Sequence, residues 1–347
     1  MMGPVGMIAP HAVEGTAQRL PTPTLDTMLQ RRHFLAALAA SPLAYASGAW
    51  AQTAPNLGTP TLPAPGFARA KVGSAEVIAL NDGIARRPLG EEFVRNAPLA
   101  EVRAMLASQN LPTEHIDIPF TAFLVVNGNR KVLMDTGFAD NGGPTTGRLL
   151  ANLAAAGHKP EEIDTVLITH YHGDHINGLR RRDGSLVYPN AKVLVPEPEH
   201  AFWMDDAQMN ARPENQRGGF MGARRVFAQM PADKLVRFAP GSEVAPGIKS
   251  VAAFGHTPGH TLFELSSGGQ TFVYVGDLTN VPALFARNPD WAVTFDMDAE
   301  KARQVRREVF QRIVASNALV GGFHFPFPAF GRMKVAGNGY AFEPTAG

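Results

Sequence analysis

The stretch Thr165-Val166-Leu167-Ile168-Thr169-His170-Tyr171-His172-Gly173-Asp174-His175 decides how the rest of the chain is read. Its first four residues are β-branched or apolar and predict a short buried strand. That strand runs straight into three imidazoles and a carboxylate: His170, His172, Asp174 and His175. Two ligands separated by one residue can chelate one ion from a loop. The Asp174-His175 pair that follows can serve a second ion beside it. Imidazole with carboxylate suits zinc, manganese, iron or cobalt. A lone histidine is usually a satisfied core residue, whereas four candidate ligands within six residues at a strand end is a specific signal.

Working outward, further candidate ligands fall at the ends of other predicted strands. Gly255-His256-Thr257-Pro258-Gly259-His260 joins strands predicted over 249–254 and 261–265. Asp277 follows the strand 271–275, His324 follows 318–322, and Asp135 follows 131–134. Loops at strand ends are held by the sheet and can converge on one site. Glycines beside His260 and Asp277 allow the backbone to approach closely.

Between these points strands and helices come in blocks. A strand over 77–80 is ended by Asn81-Asp82-Gly83, a turn signal. Helical spacing is visible over 98–109 and 146–156, and a hairpin over 123–126 and 131–134. Strands are predicted at 192–195 and 236–238, and helices at 198–208 and 221–230 around a Gly218-Gly219 break. Asp298 can cap a helix over 299–316. Such blocks predict an α/β or α+β class, with sheets covered by helices.

Composition narrows the chemistry. The chain has 347 residues and no cysteine. That excludes disulfide scaffolds, cysteine-ligated zinc, iron–sulfur clusters and thiol nucleophiles together. With 32 basic and 31 acidic residues, it lacks the basic excess of a nucleic-acid-binding surface, so a small-molecule partner is expected. Residues 1–51 read as a leader. Arg31-Arg32-His33-Phe34-Leu35 opens an Ala- and Leu-rich run, and Ala49-Trp50-Ala51 fits a signal-peptidase site. The expectation is twin-arginine export to the periplasm or medium, with cleavage after Ala51. The apolar run is shorter than the about 20 residues a membrane span needs. Met28 opens a compact leader and is the expected true start; N-terminal sequencing of the precursor would read it. Residues 52–70 read as a Pro-rich arm, and 71–347 as the folded domain that carries the candidate ligands. A homodimer contact through the arm is a further expectation.

Taken in order, His170, His172, Asp174, His175, His260, Asp277 and His324 resemble the ligand set of the metallo-β-lactamase superfamily. Asp135-Thr136-Gly137 is similar to its early Asp motif. The resemblance implies an αβ/βα sandwich of two mixed sheets with helices outside. It implies one divalent ion on His170, His172 and His260, a second on Asp174, His175 and His324, and Asp277 bridging them. Asp135 would steady the first loop by hydrogen bonds. His256 would be structural, because the family pattern takes the histidine after Pro258-Gly259. Zinc is the first expectation, with manganese, iron or cobalt also accepted. The implied activity is hydrolysis by a metal-bridging hydroxide, with Asp174 and Asp277 as the catalytic carboxylates.

Within the superfamily, Gly147-Arg148-Leu149-Leu150-Ala151-Asn152-Leu153 and Gly337-Asn338-Gly339-Tyr340 resemble the methyl parathion hydrolase group. That implies a phosphotriester substrate in an aromatic-walled pocket, where Trp203 and Phe220 fall in place of two wall residues. Asp140-Asn141-Gly142-Gly143 occupies the third wall position, with Phe138 nearby. The alternative is a lactonase, such as an acyl homoserine lactone hydrolase. Many of these carry a Tyr soon after the bridging Asp, where this chain has Leu278-Thr279-Asn280. A non-catalytic metal-binding protein is the third reading, and the complete ligand set speaks against it. Phe325, Phe327 and Phe330 are expected in the core.

Overall fold

The computed structural model describes residues 56–345. The leader over 1–51, with its export and start-site readings, and the first residues of the arm lie outside the described residues.

Strands of this chain collect into two sheets. The first runs in sequence order: β1 (Phe67–Val72), β2 (Ala75–Pro88), β3 (His115–Asn127), β4 (Arg130–Met134), β5 (Thr165–Leu167), β6 (Lys192–Pro196) and β7 (Leu235–Phe238). Its first four strands are antiparallel neighbours, and β4 to β7 are parallel. The second contains β8 (Glu243–Ala245), β9 (Ile248–Ala252), β10 (Thr261–Ser267), β11 (Gln270–Tyr274), β12 (Leu319–Gly321), β13 (Phe330–Ala336) and β14 (Gly339–Pro344). There β11 and β12 are parallel and the other neighbours antiparallel. Parallel neighbours need a crossover. The helices Leu149–Ala155, Glu197–Met204, Gly218–Phe227 and Ala299–Ser316 lie in these connections.

The sheets meet through aromatic side chains. Phe123 of β3 lies 5.3 Å from Phe272 and 5.2 Å from Tyr274 of β11, measured between ring centroids. Burying each such ring contributes about 1.5–3 kcal/mol of transfer free energy. The helix Ala299–Ser316 presents Ala302, Val305, Val309, Phe310 and Ile313 on one buried stripe. Asp298 caps it by accepting from the Lys301 N–H at 3.0 Å, as its sequence predicts. Two mixed sheets flanked by helices is the architecture expected from the sequence.

Several local expectations are corrected. Asn81-Asp82-Gly83 does not end a strand: β2 continues to Pro88 through a bulge between Asn81 and Gly83. The cause is Asp82, whose buried carboxylate accepts the N–H groups of Phe138, Gly147 and Leu149. The helix expected over 198–208 is split at Asp205, whose side chain caps the next helix at Ala207 N–H, 2.7 Å away. Gly218 and Gly219 open the following helix rather than break it. The last residues of the Pro-rich arm already belong to β1, which starts at Phe67. β13 and β14 were not anticipated. Phe325 and Phe330 are fully buried, as expected, while Phe327 lines a largely apolar cavity of about 460 Å³ that also reaches His324.

Candidate metal centre

Every candidate ligand follows the C-terminal end of a central strand or fills a loop between two. Asp135 follows β4, His170 to His175 follow β5, His256 and His260 lie between β9 and β10, Asp277 follows β11 and His324 follows β12. The two sheets thereby aim their loops at one point. After β5, Gly173–Ile176 forms a single helical turn carrying Asp174 and His175.

Two groups of side chains converge there, each with its ligand atoms within 4.8 Å of one another. The first is His170, His172, His256 and Asp277; the second is Asp174, His175, Asp277 and His324. In the first, His172 Nδ1 lies 3.0 Å from both His170 Nε2 and His256 Nε2. In the second, His324 Nε2 lies 3.1 Å from Asp277 Oδ2 and 3.5 Å from Asp174 Oδ2. Asp277 is shared: its Oδ2 is 3.2 Å from His256 Nε2 and its Oδ1 is 3.1 Å from His175 Nε2.

The outward nitrogens fix the rings. His170 Nδ1 meets Thr169 Oγ1 at 3.0 Å, and that hydroxyl donates to Asp135 at 2.8 Å. His175 Nδ1 meets Asp135 at 2.8 Å, His256 Nδ1 meets Asp296 at 2.9 Å, and His324 Nδ1 donates to the Pro119 carbonyl at 2.8 Å. A proton placed on each of these nitrogens leaves Nε2 as a lone pair facing inward. Asp135 also accepts from the Thr169 N–H and the Tyr274 hydroxyl, so four donors hold one carboxylate against the first loop.

His256 and His260 exchange the roles expected of them. His260 is not in either ligand group. Its Nδ1 donates to the Ala253 carbonyl at 3.0 Å, and its Nε2 accepts the Asp277 N–H at 3.1 Å. Both ring nitrogens are therefore used by the backbone, and none remains for an ion. Burial and the neighbouring His256 lower its pKa to about 3, which keeps the ring neutral. His256 stands in its place among the side chains that could hold an ion. Burial alone would lower its pKa, but Asp277 and Asp296 outweigh that and raise it to about 9. The backbone comes this close because of glycine: a Cβ on Gly276 would lie 2.9 Å from His260 Nε2, and one on Gly259 2.2 Å from the Glu199 nitrogen.

The donor set fits two divalent cations. His175 Nε2 and Asp277 Oδ1 are buried and have no hydrogen-bond partner. With its Nδ1 proton on Asp135, His175 presents a lone pair to a carboxylate oxygen, an arrangement that a cation satisfies.

A cavity of about 350 Å³ opens on the second group. His172, Asp174, Asp277 and His324 form its floor, Ile118, Phe120, Phe138 and Phe295 its apolar wall, and Arg87 and Asn280 its remaining polar surface. Trp203 and Phe220 do not line it, which corrects their expected pocket role. Both are buried with their rings 4.8 Å apart, and Trp203 packs edge-on at 6.2 Å from His172. The Trp203 indole donates to Glu199 at 2.6 Å. Glu199 in turn accepts from Tyr171 N–H, Thr257 hydroxyl and Gly259 N–H, tying both ligand loops to one carboxylate. Burial raises its pKa, against the lowering effect of those four donors.

Glu199, Tyr274, Asp296 and Arg306 were missed by sequence reading. Arg306 sits in the buried stripe of its helix and holds Asp296 at 3.1 Å, so an arginine at an apolar helix position was the available signal. Nothing local marks the other three.

These features define a metal-dependent hydrolase fold and site. The family model of the metallo-beta-lactamase superfamily matches residues 119–314, more than half of the chain, and the chain belongs to that superfamily. Among solved structures it is similar to AidC, a dizinc quorum-quenching lactonase in complex with a product, at 28% identity and TM-score 0.76. That match covers 81% of this chain and 98% of AidC. It is similar to the hydrolase AbOPH at 29% identity and TM-score 0.75, covering 81% of this chain and 97% of AbOPH. Ribonuclease TTHA0252 of Thermus thermophilus is 30% identical over 47% of this chain. The chain spans only 36% of the length of that curated relative. Among the described residues no helix is long and apolar enough to cross a membrane.

Proposed function

We propose that the chain is a dinuclear hydrolase of small neutral esters, with lactones as the first substrate class. The observation that carries this is one carboxylate, Asp277, shared by two groups of ligands beneath a small cavity with an aromatic wall. Two divalent ions bound there would supply a water of lowered pKa and polarise the substrate oxygen; zinc is the first choice. The protein's own groups do the rest. Asp277 and Asp174 can hold the proton of an attacking water. Phe120, Phe138 and Phe295 exclude bulk water and cover an apolar substituent. The near-complete overlap with AidC supports a lactone, and the short overlap with the ribonuclease gives less weight to nucleic acid.

A phosphotriester is the second reading, favoured by the three phenyl rings, which suit an aryl leaving group. The test is kcat/KM of the zinc-, manganese- or cobalt-loaded full chain on an acyl homoserine lactone and on a dimethyl aryl phosphotriester. The lactone value is expected to be higher by roughly 100-fold, about 2.7 kcal/mol of transition-state discrimination. The reverse ratio would hand the site to phosphotriesters, and negligible rates on both would sink both substrate classes.

A further inference from the structure

The cavity of about 460 Å³ beside Phe327 lies across the β2–β3 ribbon from the cavity over the metal ligands, and His324 borders both. Alternation along β3 separates the two. Ile118 and Phe120 line the one over the metal ligands, while His115, Asp117 and Pro119 line the other. The rest of its wall is largely apolar and comes from distant segments: Leu62 and Pro63 of the arm, Leu106 and Leu111 in and beyond the helix Leu99–Ala107, and Phe327. Leu111 keeps 39% of its surface exposed. A cavity of this size and lining suits a small molecule.

The charged and imidazole groups that line it are engaged, with one exception. Asp117 holds Arg86 through both carboxylate oxygens, each at 2.7 Å. His324 Nδ1 donates to the Pro119 carbonyl at 2.8 Å. His115 Nε2 is buried and has no hydrogen-bond partner. A buried polar atom of that kind calls for a partner. Beside an apolar wall, the partner that fits is one polar group on an otherwise apolar molecule.

We propose that this cavity is a second ligand site, distinct from the one over the metal ligands, and that it takes an unbranched alkyl chain ending in a hydroxyl. His115 Nε2 carries a proton or a lone pair according to its tautomer, and a hydroxyl answers either, since it both donates and accepts. The chain buries its methylenes against Leu62, Pro63, Leu106, Leu111 and Phe327, and His115 fixes its end. The acid in the lining is already paired with Arg86, so a neutral head is preferred to a charged one. The occupant rests against the His324–Pro119 bond that orients one candidate metal ligand. Binding requires no ester to be turned over, so the site stands or falls apart from the hydrolase reading.

The test titrates linear alcohols, 1-butanol to 1-octanol, into the zinc-loaded full chain by calorimetry. One molecule should bind per chain, with affinity rising about fourfold for each added methylene. His115→Phe should weaken 1-octanol about 10-fold while keeping the gain per methylene. Leu111→Trp fills the cavity and should weaken 1-octanol by roughly 10-fold or more. Phe138→Trp narrows the cavity over the metal ligands instead, and should leave the 1-octanol affinity within roughly twofold of the parent. Urea midpoints and zinc content establish that each variant is folded and loaded. Absence of saturable binding to the parent would overturn the proposal. So would 1-octanol affinities unchanged in both His115→Phe and Leu111→Trp, or weakened by Phe138→Trp alone.

Discussion

The two sheets deliver ligands to one centre in different ways. From the first sheet, β5 feeds a single contiguous loop, and His170, His172, Asp174 and His175 arrive together. From the second sheet, three separate loops each bring one ligand: His256, Asp277 and His324. In the contiguous loop, chain connectivity alone forces the side chains into proximity. In the dispersed half, each ligand is chosen by what its neighbours leave free. His256 and His260 show this directly. They share a loop, a residue type and nearly complete burial, at 3% and 0% exposed. One turns its inner nitrogen to the other candidate ligand atoms, His172 Nδ1 and Asp277 Oδ2, and the other spends both on Ala253 and Asp277.

The largest expected effects come from separating those two histidines. His256→Ala should bind one ion per chain instead of two, with kcat/KM reduced by at least about 1,000-fold, equivalent to about 4 kcal/mol. His260→Ala should keep two ions but lose about 2–4 kcal/mol of stability, from the cavity and the unpaired Asp277 N–H. Metal analysis and urea unfolding of the two proteins read both quantities. Metal lost from the His260 variant and retained in the His256 variant would invert the comparison.

The next effect sharpens it on the second-sheet side. Arg306, fully buried, holds Asp296, and Asp296 holds the outer nitrogen of His256. No equivalent charged chain backs His324, whose outer nitrogen rests on a backbone carbonyl. Asp296→Asn keeps the shape but weakens the hold on the His256 ring. A 10- to 100-fold loss of affinity for one of the two ions is expected, about the size found for such supporting groups, and chelator competition would measure it. Equal affinity in the variant would mean that the loop backbone alone positions His256.

The same contrast explains what was legible in the sequence. The strand at Thr165 and its metal-ligating loop could be read because period and spacing are local properties. So could the helix from Ala299 to Ser316, with its Asp298 cap and apolar stripe. The block pattern gave only covered sheets; the sandwich was implied by the resemblance that the ordered motifs carry. The choice between His256 and His260 could not be read, since it depends on the Ala253 carbonyl and the Asp277 N–H, which only the folded chain brings to the ring. Trp203 and Phe220 failed as pocket residues for a related reason: an aromatic near the site in sequence can pack behind a ligand as well as in front of it. The actual wall, Phe120, Phe138 and Phe295, comes from three distant segments. Asp82 was hidden because Asn81-Asp82-Gly83 has the composition of a turn.

Asp82 also supplies the smallest effect, and it tests whether the contiguous half is as self-sufficient as it looks. Its carboxyl accepts the N–H of Phe138 at 3.0 Å, of Gly147 at 3.2 Å and of Leu149 at 2.9 Å, so it fastens the segment that carries the Phe138 wall of the cavity. Burial raises its pKa from 3.8 to about 7, against the lowering effect of those three donors. In the unfolded chain the group ionises near its ordinary value. Between about pH 4 and pH 7 the folded protein therefore holds a proton that the unfolded chain has released. The stability this group contributes is full below the unfolded pKa and declines as pH rises toward 7. Asp82→Asn removes that titration and one or two of the three accepted bonds. It should be less stable than the parent at pH 5, by about 1–3 kcal/mol. The gap should narrow by more than about 1 kcal/mol by pH 7.5, because only the parent loses the contribution. Urea midpoints of both proteins across that range measure it. A gap that stays constant with pH would show that the carboxylate is already ionised when folded, held so by its three N–H donors. The first sheet's rim would then rest on a buried charge rather than on a buried acid.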